Sequence, residues 1–251
     1  MIGKKKSDKY FGNYPYVNKA ISQLIFFGLE YRRKQLIRKY KKNSKIFQFK
    51  NTEQTQADFE KYLNQGFNKI NIGGGTKNFT DFVNLDFIRH ENVEREVIAN
   101  VLDLSFISDS SIKHIHSNHV MEHLTQQQLE EQLKQYQRIL AQDGIISIRV
   151  PNALGVAYGF FFGPIAERDH DEFLKLGFPA AEDFYNKDDG WYYQDLWALY
   201  HWFFAFTGNV ENEHLNQLTP TLLKDTVENA GFTVLKMSIP EASNIVLMAK
   251  K

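Results

Sequence analysis

From Lys69 onward, short apolar runs alternate with helical patterns, and this alternation constrains the fold more than any other feature of the chain. Strands separated by helices build βαβ units and a mostly parallel sheet. Residues 69–72 (KINI) read as the first strand, ended by Gly73-Gly74-Gly75. Residues 82–86 (FVNLD), 96–100 (EVIAN) and 112–117 (IKHIHS) read as the second, third and fourth. Thr125 then caps a helix running to about Ala141, with Gln128 at the capping-box position. Asp143-Gly144 reads as a turn, and residues 145–150 (IISIRV) as a fifth strand stopped by Pro151-Asn152. Residues 153–218 show no clean period. Thr219 suits the N-cap and Pro220 the N1 position of a further helix, which Gly231 closes at C′. Two last strands, 232–237 and 244–249, are separated only by residues 238–243. A connection that short forces them to pair antiparallel. The expected fold class is α/β: a seven-stranded, mostly parallel sheet with a terminal antiparallel pair.

Composition bounds the rest. The 251 residues correspond to one or two domains at ~150 residues each. Hydrophobic residues at 43% and aromatics at 14% supply a core, so wholesale disorder is excluded. With no Cys, disulfides, thiolate metal sites and a Cys nucleophile are excluded. No run reaches the ~18 apolar residues of a spanning helix, and the N-terminus does not read as a secretory signal. The cytoplasm is the expected location, with the inner face of a membrane as a peripheral site.

Zero net charge conceals an asymmetry. Residues 1–50 hold 14 of the 30 basic and two of the 30 acidic side chains, a net of +12; the other 16 and 28 leave the remainder at −12. We therefore divide the chain into a basic arm with one helix (1–50; helix at 17–42) and a body (51–251) carrying an insertion at 153–218. The arm suits phosphates, anionic lipid or the body itself.

Three clues point to a nucleotide-like ligand. Gly73, Gly74 and Gly75 follow strand one, where glycine lets a backbone with free N–H groups approach a ligand. Asp86 ends strand two, where a carboxylate can accept both hydroxyls of a ribose. Asp103 follows strand three, where an acid can accept from an adenine amine while Leu104 and Phe106 cover the ring. All three lie at carboxyl ends of parallel strands, the edge at which open α/β sheets bind ligands. A nicotinamide-dependent dehydrogenase fits less well, because G-x-G-x-x-G would need glycine at Asn78 and its ribose acid lies ~20 residues on.

These residues, with Asn118–Leu124 (NHVMEHL), Arg138-Ile139-Leu140 and Ala230-Gly231-Phe232, resemble the class I S-adenosylmethionine-dependent methyltransferases from about Lys69 to Lys250. Asn118–Leu124 is the most specific stretch and looks like the segment after strand four in a branch of small members often linked to cell-surface sugar biosynthesis, which share the shortened connection between strands one and two. The resemblance implies a Rossmann-like sheet whose last strand is inserted antiparallel, and S-adenosylmethionine as cofactor. It places Gly73, Gly74, Gly75, Asp86, Asp103, Leu104, Asn118 and Asn71 in the cofactor site. The family usually has an acid where Asn71 stands and a glycine where Lys77 stands.

The implied activity is methyl transfer to an oxygen, and less readily a nitrogen, of a small or saccharide acceptor. An alcohol nucleophile benefits from a general base, most often His. His119, after strand four, and His214, before the penultimate helix, are the catalytic candidates. His123 reads as a capping or core histidine, and Glu122 as a support for the loop. No metal ligand set is assigned; residues 168–172 (RDHDE) read as a solvated loop or the start of a helix. Residues 154–208 hold 17 of the 36 aromatics and all three Trp, which suits either a helical subdomain or a lid over the acceptor, with Trp191 at its tip and Trp197 in its core. The alternative is a non-catalytic binding protein of this fold, docked by its basic arm on an anionic membrane or, less favoured, on nucleic acid.

Overall fold

The computed structural model describes residues 31, 34, 35, 38, 49–153, 214–240 and 244–251. Contacts divide the chain into two units, Met1–Asn43 and Ser44–Lys251. In the first, Tyr31, Lys34, Gln35 and Arg38 are helical. The rest of the expected arm helix, the aromatic insertion with its three Trp, and residues 168–172 lie outside the described residues.

The second unit is built on one seven-stranded sheet: β1 (Lys69–Ile72), β2 (Val83–Asp86), β3 (Glu96–Ile98), β4 (Ile112–Asn118), β5 (Leu140–Pro151), β6 (Thr233–Ser238) and β7 (Asn244–Lys250), in spatial order β3-β2-β1-β4-β5-β7-β6. Strands β1 to β5 pair parallel. Strand β7 runs antiparallel to both β5 and β6, as the short final connection requires. This is the Rossmann-like arrangement the sequence implies. Ile70, Ile72, Val83, Leu85, Ile115, Ile146, Ile148, Ile245 and Leu247 are buried along it and form the core. Burying one such side chain contributes about 1.5–3 kcal/mol.

Three α-helices are described around the sheet. Helix α1 (Glu53–Asn64) was not anticipated, although its signals are present. Thr52 accepts from Thr55 N–H and Thr55 returns a bond to the cap, while Phe59 inserts into the core. Helix α2 (Gln126–Ile139) has the expected capping box of Thr125 and Gln128. Its buried Leu129, Leu133, Tyr136 and Ile139 keep helical spacing toward the sheet. Helix α3 (Pro220–Asn229) starts at the Thr219 cap with Pro220 in its first turn, and Gly231 after it takes φ +91°. No helix of the described residues is long and apolar enough to cross a membrane.

Two local expectations need correction. Asp143-Gly144 does not end an element: β5 begins at Leu140 and runs through both residues. The turn is absorbed as an irregularity, because Ile112 pairs with Leu140 but His114 already pairs with Ile145. Gly144 O and Leu140 O accept from Lys251 N–H and Nζ, which satisfies the displaced carbonyls. Strand β3 stops at Ile98 because Asn100 turns away, its N–H donating to Asn51 Oδ1 and its side chain accepting from Leu102 N–H.

Candidate functional site

Gly73, Gly74 and Gly75 leave β1 in a tight turn braced from below by amides. Asn71 Nδ2 donates to Asn84 Oδ1 (2.9 Å), and Asn84 Nδ2 donates to Gly75 O (3.1 Å). Both asparagines are buried. A Cβ at Gly74 would lie 1.6 Å from Asn84 Oδ1 and 2.2 Å from Asn71 Nδ2, so glycine there is required by this pair. Gly75, at φ +52°, has open space where a Cβ would project. Asn84 was missed by sequence reasoning; its signal is its place in register with Asn71 on β2.

Asp86 ends β2 as expected. Its side chain is nearly enclosed, the residue being 7% exposed. Oδ2 accepts from Gly75 N–H (3.0 Å) and Oδ1 from Ile88 N–H (3.2 Å). Each carboxylate oxygen retains a second acceptor position. Asp86 therefore holds the glycine turn and can still accept two hydroxyls beside Gly75. These residues fit the ribose of S-adenosylmethionine.

Beyond β3, the loop carrying Asp103 is held by α2. Gln132 and Gln135 donate to Val101 O and Leu102 O, and Gln135 Oε1 accepts from Leu104 N–H. Arg138 donates to Leu104 O, Ile107 O and Asp109. Asp103 is exposed, with Oδ1 accepting from Ser105 N–H. Leu104, expected to cover a ring, is instead fully buried in the core. Phe106 is half-buried, edge-on to Phe59.

Strand β4 ends at Asn118, half-buried beside Arg149 on β5. His119 follows with φ +55°, a left-handed backbone uncommon for a non-glycine residue. Its N–H donates to Arg149 O, and its Nδ1 lies 3.0 Å from Glu122 Oε1. The His119 side chain is 44% exposed and that of Glu122 2%. Burial alone would push the Glu122 carboxyl up. The hydrogen bond from His119, then the fields of His123, His119 and His214, outweigh that and hold it below the usual carboxylate range. An ionised carboxylate can only accept, so His119 carries its proton on Nδ1 and leaves Nε2 as the basic nitrogen.

The glycine turn and this loop meet directly. A Cβ on Gly73, at φ +58°, would sit 2.6 Å from Val120 Cγ2. The second catalytic candidate joins the same cluster: Glu122 O accepts from both Leu215 N–H (2.7 Å) and Asn216 N–H (2.9 Å), which pins His214 against the turn, its ring 5.1 Å from that of His123.

A family model described as a methyltransferase domain matches residues 29–237. This chain belongs to that family. The methyl donor of such a domain is S-adenosylmethionine, so the methyltransferase resemblance and the sheet order agree. No curated protein matches the sequence. Among solved structures, the chain is similar to an S-adenosylmethionine-dependent methyltransferase of Archaeoglobus fulgidus (15% identity, 79% of this chain and 94% of that one, TM-score 0.45). It is similar to the 1,6-didemethyltoxoflavin-N1-methyltransferase of Burkholderia thailandensis, solved with 1,6-didemethyltoxoflavin and S-adenosylhomocysteine (12%, 87% and 86%, 0.44). A third is an S-adenosylmethionine-dependent methyltransferase of Mesorhizobium loti (10%, 77% and 98%, 0.45).

Proposed function

We propose that this methyltransferase-family chain moves a methyl group from S-adenosylmethionine to an oxygen, and less readily a nitrogen, of a small or saccharide acceptor, in cell-surface polysaccharide biosynthesis. Gly73, Gly74, Gly75, Asp86 and Asp103 hold the cofactor, with Asn71, Leu104 and Asn118 shaping that edge from beneath. The cofactor supplies a methyl carbon already activated by a sulfonium. What remains for the protein is alignment, exclusion of water and removal of the acceptor's proton.

The observation that carries this reading is the His119–Glu122 pair beside the Gly73–Val120 contact. The buried carboxylate orients the imidazole through Nδ1, while Nε2 stays available to an acceptor hydroxyl. The proton of that hydroxyl passes to His119 Nε2 as oxygen attacks the methyl group. His214 stands next to the pair as the second candidate base. The basic arm provides attraction to an anionic membrane surface, and the aromatic insertion is proposed as the acceptor's lid.

The test is a screen of sugar nucleotides and lipid-linked saccharides with radiolabelled S-adenosylmethionine, run beside calorimetry with S-adenosylhomocysteine. His119→Ala should abolish label transfer at unchanged cofactor affinity. Cofactor binding with no transfer to any acceptor class, or no cofactor binding at all, would reject the enzyme and favour the non-catalytic alternative docked by its basic arm.

A further inference from the structure

We propose a binding site for a divalent first-row transition-metal ion of the zinc class, made by Glu122, His123 and His214. One carboxylate oxygen of Glu122 and one ring nitrogen from each histidine lie within 4.8 Å of one another. Ligands to a tetrahedral ion with bonds of ~2.0–2.2 Å stand roughly 3.4 Å apart, so closure asks each side chain to move by about an ångström.

Three further observations support it. Glu122 is enclosed, yet only Oε1 has a partner: His119 Nδ1 at 3.0 Å, with His123 Nε2 farther at 4.0 Å. Its other oxygen, Oε2, is buried with no hydrogen-bond partner among the described residues. A buried carboxylate oxygen left unpaired is costly unless a cation meets it. Next, the cluster is preorganised from distant sequence. Glu122 O holds Leu215 and Asn216 through their N–H groups, and Asn216 Nδ2 donates to Gln126 Oε1 at 3.2 Å, so His214 is delivered by a braced segment. Finally, the donor chemistry selects the ion. Two imidazoles and one carboxylate suit zinc, cobalt, manganese or iron, whereas magnesium and calcium favour all-oxygen sets.

Three protein ligands leave positions open for oxygen ligands from solvent or a substrate. The site lies directly after Asn118 and His119, so a hydroxyl bound there would be acidified at the edge where the acceptor is expected. Metal binding itself does not depend on the methyl-transfer reading and is measured without turnover.

The test uses the untagged full chain, stripped with chelator and dialysed. Zinc is titrated by calorimetry and cobalt by visible absorption. One ion per chain should bind, and His214→Ala and Glu122→Gln should each weaken binding at least about tenfold, the loss that even an outer partner of a metal site can cost. His116→Asn, which alters a histidine outside the cluster, should bind as the parent does. Excess magnesium should not displace cobalt. Because Glu122 is buried, His214→Ala carries the test if Glu122→Gln fails to fold. Absence of saturable binding, equal affinity in His214→Ala, or displacement by magnesium would each overturn the proposal.

Discussion

Asp86 holds the glycine turn and is also the proposed acceptor of the cofactor's ribose hydroxyls. As a ribose acceptor it would make two charge-assisted hydrogen bonds, each contributing about 1.5–3 kcal/mol. We expect Asp86→Ala to weaken S-adenosylhomocysteine binding at least ~tenfold, and unchanged affinity in calorimetry would remove it from the site. The same carboxylate accepts from Gly75 and Ile88, so the variant should also lose about 1–2 kcal/mol of stability without unfolding. A second residue-level expectation concerns His114 and His116, which share the Ser147 hydroxyl at 2.8 and 2.9 Å. Burial, then the charges of His116 and Lys69, lower His114 to about 4, and burial lowers His116. Both are therefore neutral in the fold where the unfolded chain, with His near 6.5, takes up protons. Stability should be full above pH ~6.5 and fall as pH drops through 6.5 toward 4. Because His114 is half-exposed, its share is about 1–2 kcal/mol after solvent screening. Urea unfolding from pH 7 to pH 4.5 measures this, and His114→Asn should flatten the slope.

At the scale of elements, the glycine turn shows what a sequence can and cannot announce. Three glycines after an apolar run mark a close backbone approach, yet what approaches Gly74 is the Asn71–Asn84 amide pair. Gly74→Ala must drive those side chains apart and break their hydrogen bond, and should cost about 1–3 kcal/mol as overpacking does. Gly75→Ala has room for its methyl group and suffers only its left-handed backbone, about 1–2 kcal/mol. Melting curves that rank the two oppositely would show that the pair does not set the turn. The succession of strands, the capped helix at Thr125 and the antiparallel ending were legible because each is encoded locally, by period, cap residue or loop length. Helix α1 escaped because its apolar face is thin, with Phe59 its one buried hydrophobic residue. The burial of Leu104 was not legible, because a leucine after a strand looks the same whether its loop opens to a ligand or is drawn inward; α2 draws it in through Gln135 and Arg138. The Glu122–His123–His214 group was invisible for a similar reason. Its third member arrives through backbone bonds to Glu122 O, and no spacing rule reports such a return.

For the molecule as a whole, the opposed charges of arm and body set the last expectation. The contact boundary falls after Asn43, close to the charge boundary at residue 50. Every proposed cofactor residue lies beyond it. The start of the second unit has its own anchor: Asn51 Nδ2 donates to Asp103 O at 2.6 Å, and its Oδ1 accepts from Asn100 N–H at 2.7 Å. Cutting at Asn43 spares that clamp, whereas cutting past Asn51 would release the Asp103 loop. Deletion of residues 1–43 should therefore leave S-adenosylhomocysteine affinity unchanged in calorimetry, while deletion of residues 1–52 should weaken it. If the arm serves a membrane, only the full chain should sediment with anionic vesicles. Each Lys or Arg near such a surface contributes about 1 kcal/mol, so binding should fall steeply with salt. Equal sedimentation with neutral and anionic vesicles would exclude the membrane role. Loss of cofactor binding on removing residues 1–43 would instead make the arm part of the catalytic body.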